Sequence, residues 1–412
     1  MTLSINIGIV NLEKIAKKFY YISIMKTPKM TMITFTGGGL AAALNATLYG
    51  VISAAQEKGY KVLGGIEGWK SLQEAGKTID LTNTDLSVLQ VQGGTFLRSS
   101  RTNPLNEKNG IEQLKKRTKE LGIDAIVAIG GDDTLGAAHG VSEQLDIPII
   151  GLPKTVDNDL AGTYWTPGFP TTASKIINIT KQAKENAAYA LKRVFLVETI
   201  GMHAGWIPAA SCLADPDLIV VPEKKVKLDL LLNAIEKKYK QNGEYATIVI
   251  AEEVRFDKEI SGISDNQKDK FRKKSRQNFI SIGLREKIKE ELGVYAQCII
   301  PRNYLQTGVP IEIDRKFAIS LGKHAVELLE NGQSGKMCCV TRKNESRKEF
   351  SVDSISLDKV IGKENHRVLD NSLFDFGSFQ ATEKMKEYIG SFINVGQANT
   401  DYEKLQKRIL GI

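Results

Sequence analysis

The chain has 412 residues, of which 42% are hydrophobic and 25% are charged, as in a globular protein large enough for more than one lobe. Its net charge of +8 favours attraction to anions, but its basic residues are not interleaved with aromatics as in nucleic-acid-binding surfaces. No apolar run approaches the roughly 20 residues of a membrane span. Four cysteines without CxxC spacing and four histidines without a metal-ligand pattern argue against disulfides or a zinc site. We therefore expect a cytoplasmic protein that binds neither nucleic acid nor membranes.

Residues 1–31 precede the first recognisable element. Residues 12–21 have the pattern of a basic amphipathic helix, which could act as a surface anchor or a targeting peptide. The alternative is an appended segment, because Met25, Met30 and Met32 each offer another start. We expect residues 1–31 to be an N-terminal extension that is either disordered or an artefact of the start site.

From Met32 onwards, predicted strands and helices alternate. Residues 32–36 form a first strand, which runs into glycines 37–39 and a helix that starts at 41–45. A glycine turn between a strand and a helix N-terminus can hold a phosphate, because free N–H groups and the helix dipole face the anion. The later elements are a strand at 60–65, a loop at 93–101, a helix at 111–121, a strand at 125–129, a helix through 139 to 145, a strand at 147–152, a helix at 171–191, strands at 194–198, 218–221 and 246–251, a charged loop at 257–274 and a polar hairpin at 342–348. This alternation predicts an α/β fold of two Rossmann-like lobes with mostly parallel, doubly wound sheets.

Two polar segments follow buried strands, with one predicted helix between them. The first is GGDDT at 130–134, and the second is PKTVDND at 153–159. In open α/β sheets, ligands bind at the carboxyl edge where such strands end. Taken singly, an Asp-Asp pair is often a solvated turn, and a Thr-x-Asp-x-Asp run can cap a helix. Together they offer glycines, carboxylates and a lysine, which suit Mg²⁺ and phosphate chemistry, so their order and placement favour a functional site.

Several ordered motifs make the chain resemble the phosphofructokinase family. These motifs are GGG at 37–39 with Asn45, GGTFLRSSR at 93–101, GGDDT at 130–134, PKTVDND at 153–159, GMHAGW at 201–206, PE at 222–223, and GVP at 308–310 followed by Asp314 and Arg315. The resemblance implies the phosphofructokinase fold over nearly the whole chain. We expect a donor-phosphate-binding lobe at 32–160, an acceptor-binding lobe at 161–330, and a C-terminal segment at 331–412 that packs back on the lobes.

The resemblance also implies a role for the polar residues of these motifs. Asp157 would remove the proton from the acceptor hydroxyl, and Thr155 and Lys154 would complete the catalytic set. Mg²⁺ would be the cofactor, with Asp132 as its ligand. The remaining implied contacts are with the donor, through Gly38, Arg101, Asp133 and Thr134, and with the acceptor, through Asp159, Arg193, Glu223 and Met202. In the resembled family the residue at the position of Arg193 acts across a subunit boundary, which implies a homodimer or homotetramer.

Two residues make pyrophosphate the expected donor. ATP-dependent members of the resembled family usually have glycine where Asp133 stands, and commonly have glycine where Lys154 stands. A carboxylate at position 133 would intrude on the α-phosphate site of a nucleotide by its size and its charge. The lysine would supply a cation to a short donor. The pair resembles the pyrophosphate-dependent branch of the family.

The acceptor site departs from the family pattern. The resemblance implies fructose 6-phosphate, but Met202, Gln297, Asn303 and Gln306 stand where the family generally has arginine or histidine. Each lost charge-assisted hydrogen bond is worth roughly 1.5–3 kcal/mol, although Arg302 could compensate. Two alternatives therefore stay open: a different sugar or polyol acceptor, and a non-catalytic relative that binds phosphate ligands.

Overall fold

The computed structural model describes residues 28–258, 260, 279–344, 349–394 and 408–409. Within these ranges the strands are β1 (Thr31–Thr36), β2 (Lys61–Gly65), β3 (Thr78–Asp80), β4 (Ala125–Gly130), β5 (Ile149–Pro153), β6 (Val194–Thr199), β7 (Leu218–Val220), β8 (Ala246–Ala251), β9 (Ala296–Ile299), β10 (Lys336–Asn344), β11 (Glu349–Ser356), β12 (Phe374–Asp375) and β13 (Gln380–Ala381). The α-helices are α1 (Leu44–Glu57), α2 (Gly110–Leu121), α3 (Asp132–Ser142), α4 (Phe169–Glu185), α5 (Trp206–Ala210), α6 (Leu228–Gln241), α7 (Ile280–Leu292), α8 (Glu312–Glu330) and α9 (Glu383–Gly390).

The larger sheet has seven strands in the spatial order β11-β10-β5-β4-β1-β2-β3. Its five central strands are parallel, and the edge strands β11 and β3 are antiparallel to their neighbours. Strands β4 and β5 are buried along their whole length, which explains why they are continuous apolar runs in the sequence. The β10–β11 hairpin, from the C-terminal part of the chain, extends this sheet.

The smaller sheet has four parallel strands in the order β7-β8-β6-β9. Strands β12 and β13 form a separate short antiparallel ribbon. Two mainly parallel sheets joined through helices confirm the predicted α/β class with two Rossmann-like units. The proposed lobe boundaries at 160 and 330 stay predictions.

Some local predictions differ from the structure at their ends. The predicted helix at 171–191 is α4 followed by a π-helical turn at Asn186–Leu191, and the predicted helix through 139 to 145 ends at Ser142. The polar hairpin at 342–348 joins β10 to β11, but its residues 345–348 lie outside the described residues. The extension up to residue 27 and nearly all of the charged loop at 257–274 also lie outside them. In the described part of the chain, every helix is too short or too polar to cross a bilayer.

Helix α8 holds the start of α4, the helix that follows the PKTVDND segment, through the side chain of Asp314. Asp314, in its first turn, is fully buried and accepts hydrogen bonds from Gly168 N at 2.9 Å and Thr171 Oγ1 at 2.5 Å. Burial raises the pKa of Asp314 to about 6, while its hydrogen bonds oppose that shift. Asp314 thus fixes the start of α4 against α8.

Helices α1 and α8 approach each other through glycines. A Cβ on Gly50 would lie 2.3 Å from the Ile319 carbonyl oxygen, and a Cβ on Gly322 would lie 2.6 Å from the Thr47 carbonyl oxygen. Neither distance leaves room for a side chain, so the backbones of the two helices are in direct contact.

Gly50→Ala should therefore lower the free energy of unfolding by roughly 1–3 kcal/mol, because the added methyl group overpacks the contact between α1 and α8. Gly136→Ala is the matched control: Gly136 also lies inside a helix, but a Cβ there would meet nothing within 4 Å. That change should be neutral or stabilise the chain by up to about 1 kcal/mol. Urea-induced unfolding measures both effects, and equal effects would contradict the close approach.

Candidate active site

The side chain of Thr134 packs against two glycines, Gly37 in the first glycine turn and Gly130 at the end of β4. It is buried in the first turn of α3, and Trp69 Nε1 donates a hydrogen bond to its carbonyl oxygen at 3.2 Å. A Cβ on Gly37 would lie 2.4 Å from Thr134 Oγ1, and a Cβ on Gly130 would lie 2.3 Å from Thr134 Cβ. Only glycine fits at these two positions. The first glycine turn and the start of α3 are consequently held side by side, as the sequence predicts for a phosphate site.

The ammonium group of Lys154 lies against the first glycine turn, residues 37–39. Its residue surface is 3% exposed, and Nζ donates a hydrogen bond to the Gly39 carbonyl oxygen at 2.6 Å. Nζ also lies 3.4 Å from the place where a Cβ on Gly38 would be. Burial lowers the pKa of Lys154 to about 8, whereas the nearby carboxylates of Asp157 and Asp159 raise it. The ammonium therefore faces both the glycine turn and these carboxylates.

Asp157 lies in the loop that follows β5, and its backbone N–H donates a hydrogen bond to Thr155 Oγ1 at 3.0 Å. Burial raises the pKa of Asp157 to about 7. The negative charges of Asp159 and Glu252 raise it further, and Lys154 lowers it. A carboxyl group in this range can exchange a proton near neutral pH, which is what a general base must do.

Asp132 and Asp159 form the part of the site that suits a divalent cation. Asp132 Oδ1 accepts a hydrogen bond from Gly362 N at 3.2 Å, and its Oδ2 lies 3.4 Å from His366 Nε2. Burial raises the pKa of Asp159, and the charge of Asp132 is among the other causes that raise it. The described residues contain no group of three or more metal-binding side chains. Two carboxylates that repel each other beside a phosphate site fit Mg²⁺, which takes one or two protein carboxylates together with phosphate oxygens and water.

Arg101 and Asp133 are exposed at the donor end. The loop that ends at Arg101 packs on the first glycine turn, where Gly38 N donates a hydrogen bond to the Ser100 carbonyl oxygen at 2.9 Å. The charge of Arg101 is close enough to Lys154 to lower the pKa of that lysine. Asp133 lies in the first turn of α3. The structure thus brings the predicted donor residues to one end of the site.

Glu252 is a carboxylate near Asp157 that the motifs did not single out. It follows β8, and its Oε2 lies 3.9 Å from Arg302 Nη2. Burial raises the pKa of Glu252, the Arg302 charge lowers it, and a hydrogen bond with the Met202 backbone also lowers it. Its own charge acts on Asp157. The signal in the sequence was an acidic pair directly after a buried strand, the same pattern that identified the GGDDT segment.

Arg193 does not reach this site within one chain. It precedes β6, and its Nη1 donates a hydrogen bond to Gln297 Oε1 at 3.1 Å, in neighbouring β9. Both residues lie at the amino ends of parallel strands, whereas Glu252 follows the carboxyl end of β8. A strand of six residues is roughly 17–20 Å long, which separates the two ends.

Glu223 lines a different part of the molecule from Asp157. Its Oε1 accepts hydrogen bonds from Gly205 N at 2.7 Å and Leu369 N at 3.1 Å. Its Oε2 is buried and has no hydrogen-bond partner among the described residues. Glu223 lines a cavity of about 500 Å³ together with His203 and Arg255, and Asp157 is not part of the wall of that cavity.

Asp157→Asn should stabilise the chain against unfolding more at pH 8 than at pH 5. A carboxyl group with a pKa of about 7 in the folded chain and an ordinary value of 3.8 binds more protons when folded, so its contribution to stability falls as the pH rises through this window. The amide removes this penalty, which grows by roughly 2–3 kcal/mol between pH 5 and pH 8.

Thermal or urea-induced unfolding at both pH values measures the effect. Asp370→Asn is the control: hydrogen bonds from Ser372 hold the pKa of Asp370 below its ordinary value, so this group is ionised at both pH values and its replacement should change stability equally at pH 5 and pH 8. If Asp157→Asn changes stability equally at pH 5 and pH 8, the pKa of Asp157 is not raised.

A family model described as Phosphofructokinase matches residues 31–329. The pyrophosphate–fructose 6-phosphate 1-phosphotransferase of Dictyoglomus thermophilum is 35% identical over 318 residues, which are 76% of this chain and 90% of that protein. The ATP-dependent 6-phosphofructokinase 3 of Streptomyces coelicolor is 34% identical over 315 residues, which are 75% of this chain and 90% of that protein. The crystal structure of a pyrophosphate-dependent phosphofructokinase from Nitrosospira multiformis matches with a TM-score of 0.78 at 25% identity, over 89% of this chain and 93% of that one. The chain therefore belongs to the phosphofructokinase family.

Proposed function

We propose that the chain transfers a phosphoryl group from pyrophosphate to the 1-hydroxyl of fructose 6-phosphate, with Mg²⁺ as cofactor and Asp157 as general base. The observation that carries the proposal is the buried ammonium of Lys154, which lies between the Gly39 carbonyl oxygen and the catalytic carboxylates. A fixed cation in this position would neutralise a compact donor that consists of phosphates alone.

The choice of donor rests on individual residues. Overall sequence identity does not distinguish pyrophosphate from ATP as the donor, since the pyrophosphate-dependent relative is 35% identical to this chain and the ATP-dependent relative is 34% identical. Asp133 is exposed in the first turn of α3 and would repel the α-phosphate of a nucleotide. Lys154 and Arg101 would instead attract the two phosphates of pyrophosphate. The negative charge of Asp133 and the positive charges of Lys154 and Arg101 therefore favour the shorter donor, pyrophosphate.

In the proposed reaction, Asp157 accepts the proton of the acceptor hydroxyl while the hydroxyl oxygen bonds to the nearer phosphorus of pyrophosphate. The bond from that phosphorus to the bridging oxygen breaks, and the second phosphate leaves as orthophosphate. Lys154 and Arg101 stabilise the negative charge that this group carries away. Asp132 would hold Mg²⁺, which supplies charge neutralisation for the donor phosphates when bound, and Asp159 would contact the acceptor. The same groups serve the reverse transfer, so the reaction could contribute to glycolysis or run against it.

The acceptor end of the site has fewer charges than the donor end. Met202, Asn303 and Gln306 are uncharged, and Arg302 supplies a cation beside Glu252. Arg193 of a second copy would supply another, which makes a homodimer or homotetramer part of the proposal. The absence of a charge at Met202 favours a second candidate function, which is the same transfer onto another sugar or a polyol.

A screen of donors against acceptors tests the proposal with the purified protein and Mg²⁺. It crosses pyrophosphate and ATP with fructose 6-phosphate, sedoheptulose 7-phosphate and unphosphorylated polyols. We expect turnover with pyrophosphate and fructose 6-phosphate, and a loss of roughly a hundredfold or more in Asp157→Asn, which lacks the base. Turnover with another acceptor alone would support the second candidate, and none with any pair would support a non-catalytic relative that binds phosphate ligands.

Asp133→Gly combined with Lys154→Gly should give ATP-dependent turnover and weaken the use of pyrophosphate. The double change removes the charge that repels the α-phosphate and the cation that attracts the short donor. Lys154→Gly alone is the control: it should impair the use of pyrophosphate without admitting ATP, because Asp133 remains. Steady-state kinetics with each donor provide the measurement. A double variant that shows no ATP-dependent turnover would refute these two roles.

A further inference from the structure

A segment at residues 357–369, called the strap here, crosses the donor end of the site. It lies beyond residues 31–329, which the family model matches. At its first end, Leu357 N donates a hydrogen bond to the Gly335 carbonyl oxygen at 2.9 Å, and the side chains of Leu357 and Val360 are fully buried. At its other end, Leu369 is buried and its N–H donates to Glu223 Oε1. The strap is thus anchored on both sides of the site.

Between these anchors the strap contacts Asp132, which would hold the cation, and the neighbouring Asp159. Gly362 N donates to Asp132 Oδ1 at 3.2 Å, and His366 Nε2 lies 3.4 Å from Asp132 Oδ2. Arg367 N donates to the Asp159 carbonyl oxygen at 2.7 Å. Both oxygens of the Asp132 carboxylate therefore face a group from the strap.

Arg367 fixes the position of the residue next to His366. Its Nη1 donates hydrogen bonds to the carbonyl oxygens of Thr163 at 2.9 Å and Tyr164 at 3.1 Å. Its Cζ lies 4.5 Å from the centre of the Trp206 ring, and Trp206 Nε1 donates to the Arg367 carbonyl oxygen at 3.0 Å. With its backbone and side chain both held, Arg367 leaves His366 little freedom to move away from Asp132.

We propose that the strap sets the orientation of the Asp132 carboxylate and that His366 is a positioning residue for the divalent cation bound with the donor phosphates. The inference rests on the proposed function, which assigns that cation to Asp132. A carboxylate that accepts the Gly362 N–H at Oδ1 and has His366 Nε2 3.4 Å from Oδ2 is already oriented before the cation binds. Loss of such an outer partner typically costs about 10–100-fold in metal affinity.

The test measures Mn²⁺ binding by electron paramagnetic resonance in the presence of methylenediphosphonate, a pyrophosphate analogue that cannot transfer its phosphoryl group. His366→Ala should raise the dissociation constant for Mn²⁺ by about tenfold or more, and His366→Gln, which keeps a donor near the Nε2 position, should stay within about threefold of wild type. His324→Ala is the matched control. The side chains of His324 and His366 are 25% and 28% exposed, and each faces a carboxylate, but His324 lies on α8.

A second readout is the Mg²⁺ concentration that gives half-maximal turnover. It should rise in His366→Ala while the KM for the acceptor stays unchanged. Gly362→Ala provides an independent variant: Gly362 has a φ of 96°, so a side chain there strains the backbone and displaces the N–H that donates to Asp132. It too should weaken Mn²⁺ binding.

Unchanged Mn²⁺ affinity in His366→Ala, or an equal loss in His366→Gln, would overturn the role of His366. If His366→Ala does not fold, the Mn²⁺ affinities of His366→Gln and Gly362→Ala test the inference instead. A wild-type Mn²⁺ affinity in Gly362→Ala would overturn the role of the strap. Wild-type protein that binds no Mn²⁺ would overturn the assignment of the cation to Asp132 and the inference with it. Wild-type binding with unaffected variants would overturn the inference alone.

Discussion

The buried positive charge of Lys154 is the interaction on which the rest of the site depends. Taking an ammonium group out of water costs several kcal/mol unless opposite charges and hydrogen bonds compensate for the lost hydration. Here the Gly39 carbonyl oxygen and the carboxylates of Asp157 and Asp159 compensate. The lysine in turn limits how far burial and mutual repulsion raise the pKa of Asp157. The protonation state of Asp157 is therefore a property of the whole group of charges.

This arrangement is possible because backbones approach closely where side chains are absent. Gly37 and Gly130 leave room for Thr134, and Gly38 leaves room for the Lys154 ammonium. The same principle acts further away, where Gly50 brings α1 against α8. Helix α8 carries Asp314, which holds the start of α4. The site is thus supported by packing that begins well outside it.

A shared fold leaves the donor undetermined. Relatives named for pyrophosphate and for ATP are 35% and 34% identical to this chain over similar lengths. In the proposed function, the charge carried by residues 133 and 154 would act directly on the donor phosphates. Two positions can therefore change the chemistry while the architecture stays the same.

The sequence by itself determined most of the elements and the position of the two polar segments after buried strands. Strand β8 spans the residues that the apolar pattern predicted, and GGDDT and PKTVDND do follow β4 and β5, because strand period, glycine turns and helix starts are local properties of the chain. Helix ends were less well predicted, as at α4, where a π-helical turn replaces the last predicted turns. Only the tertiary structure brought Glu252 beside Arg302, kept Arg193 at the opposite end of β6, and set Gly362 against Asp132, 230 residues away. Contacts between such distant residues depend on how the two sheets and the strap are arranged in space, and they leave no periodic pattern in the sequence.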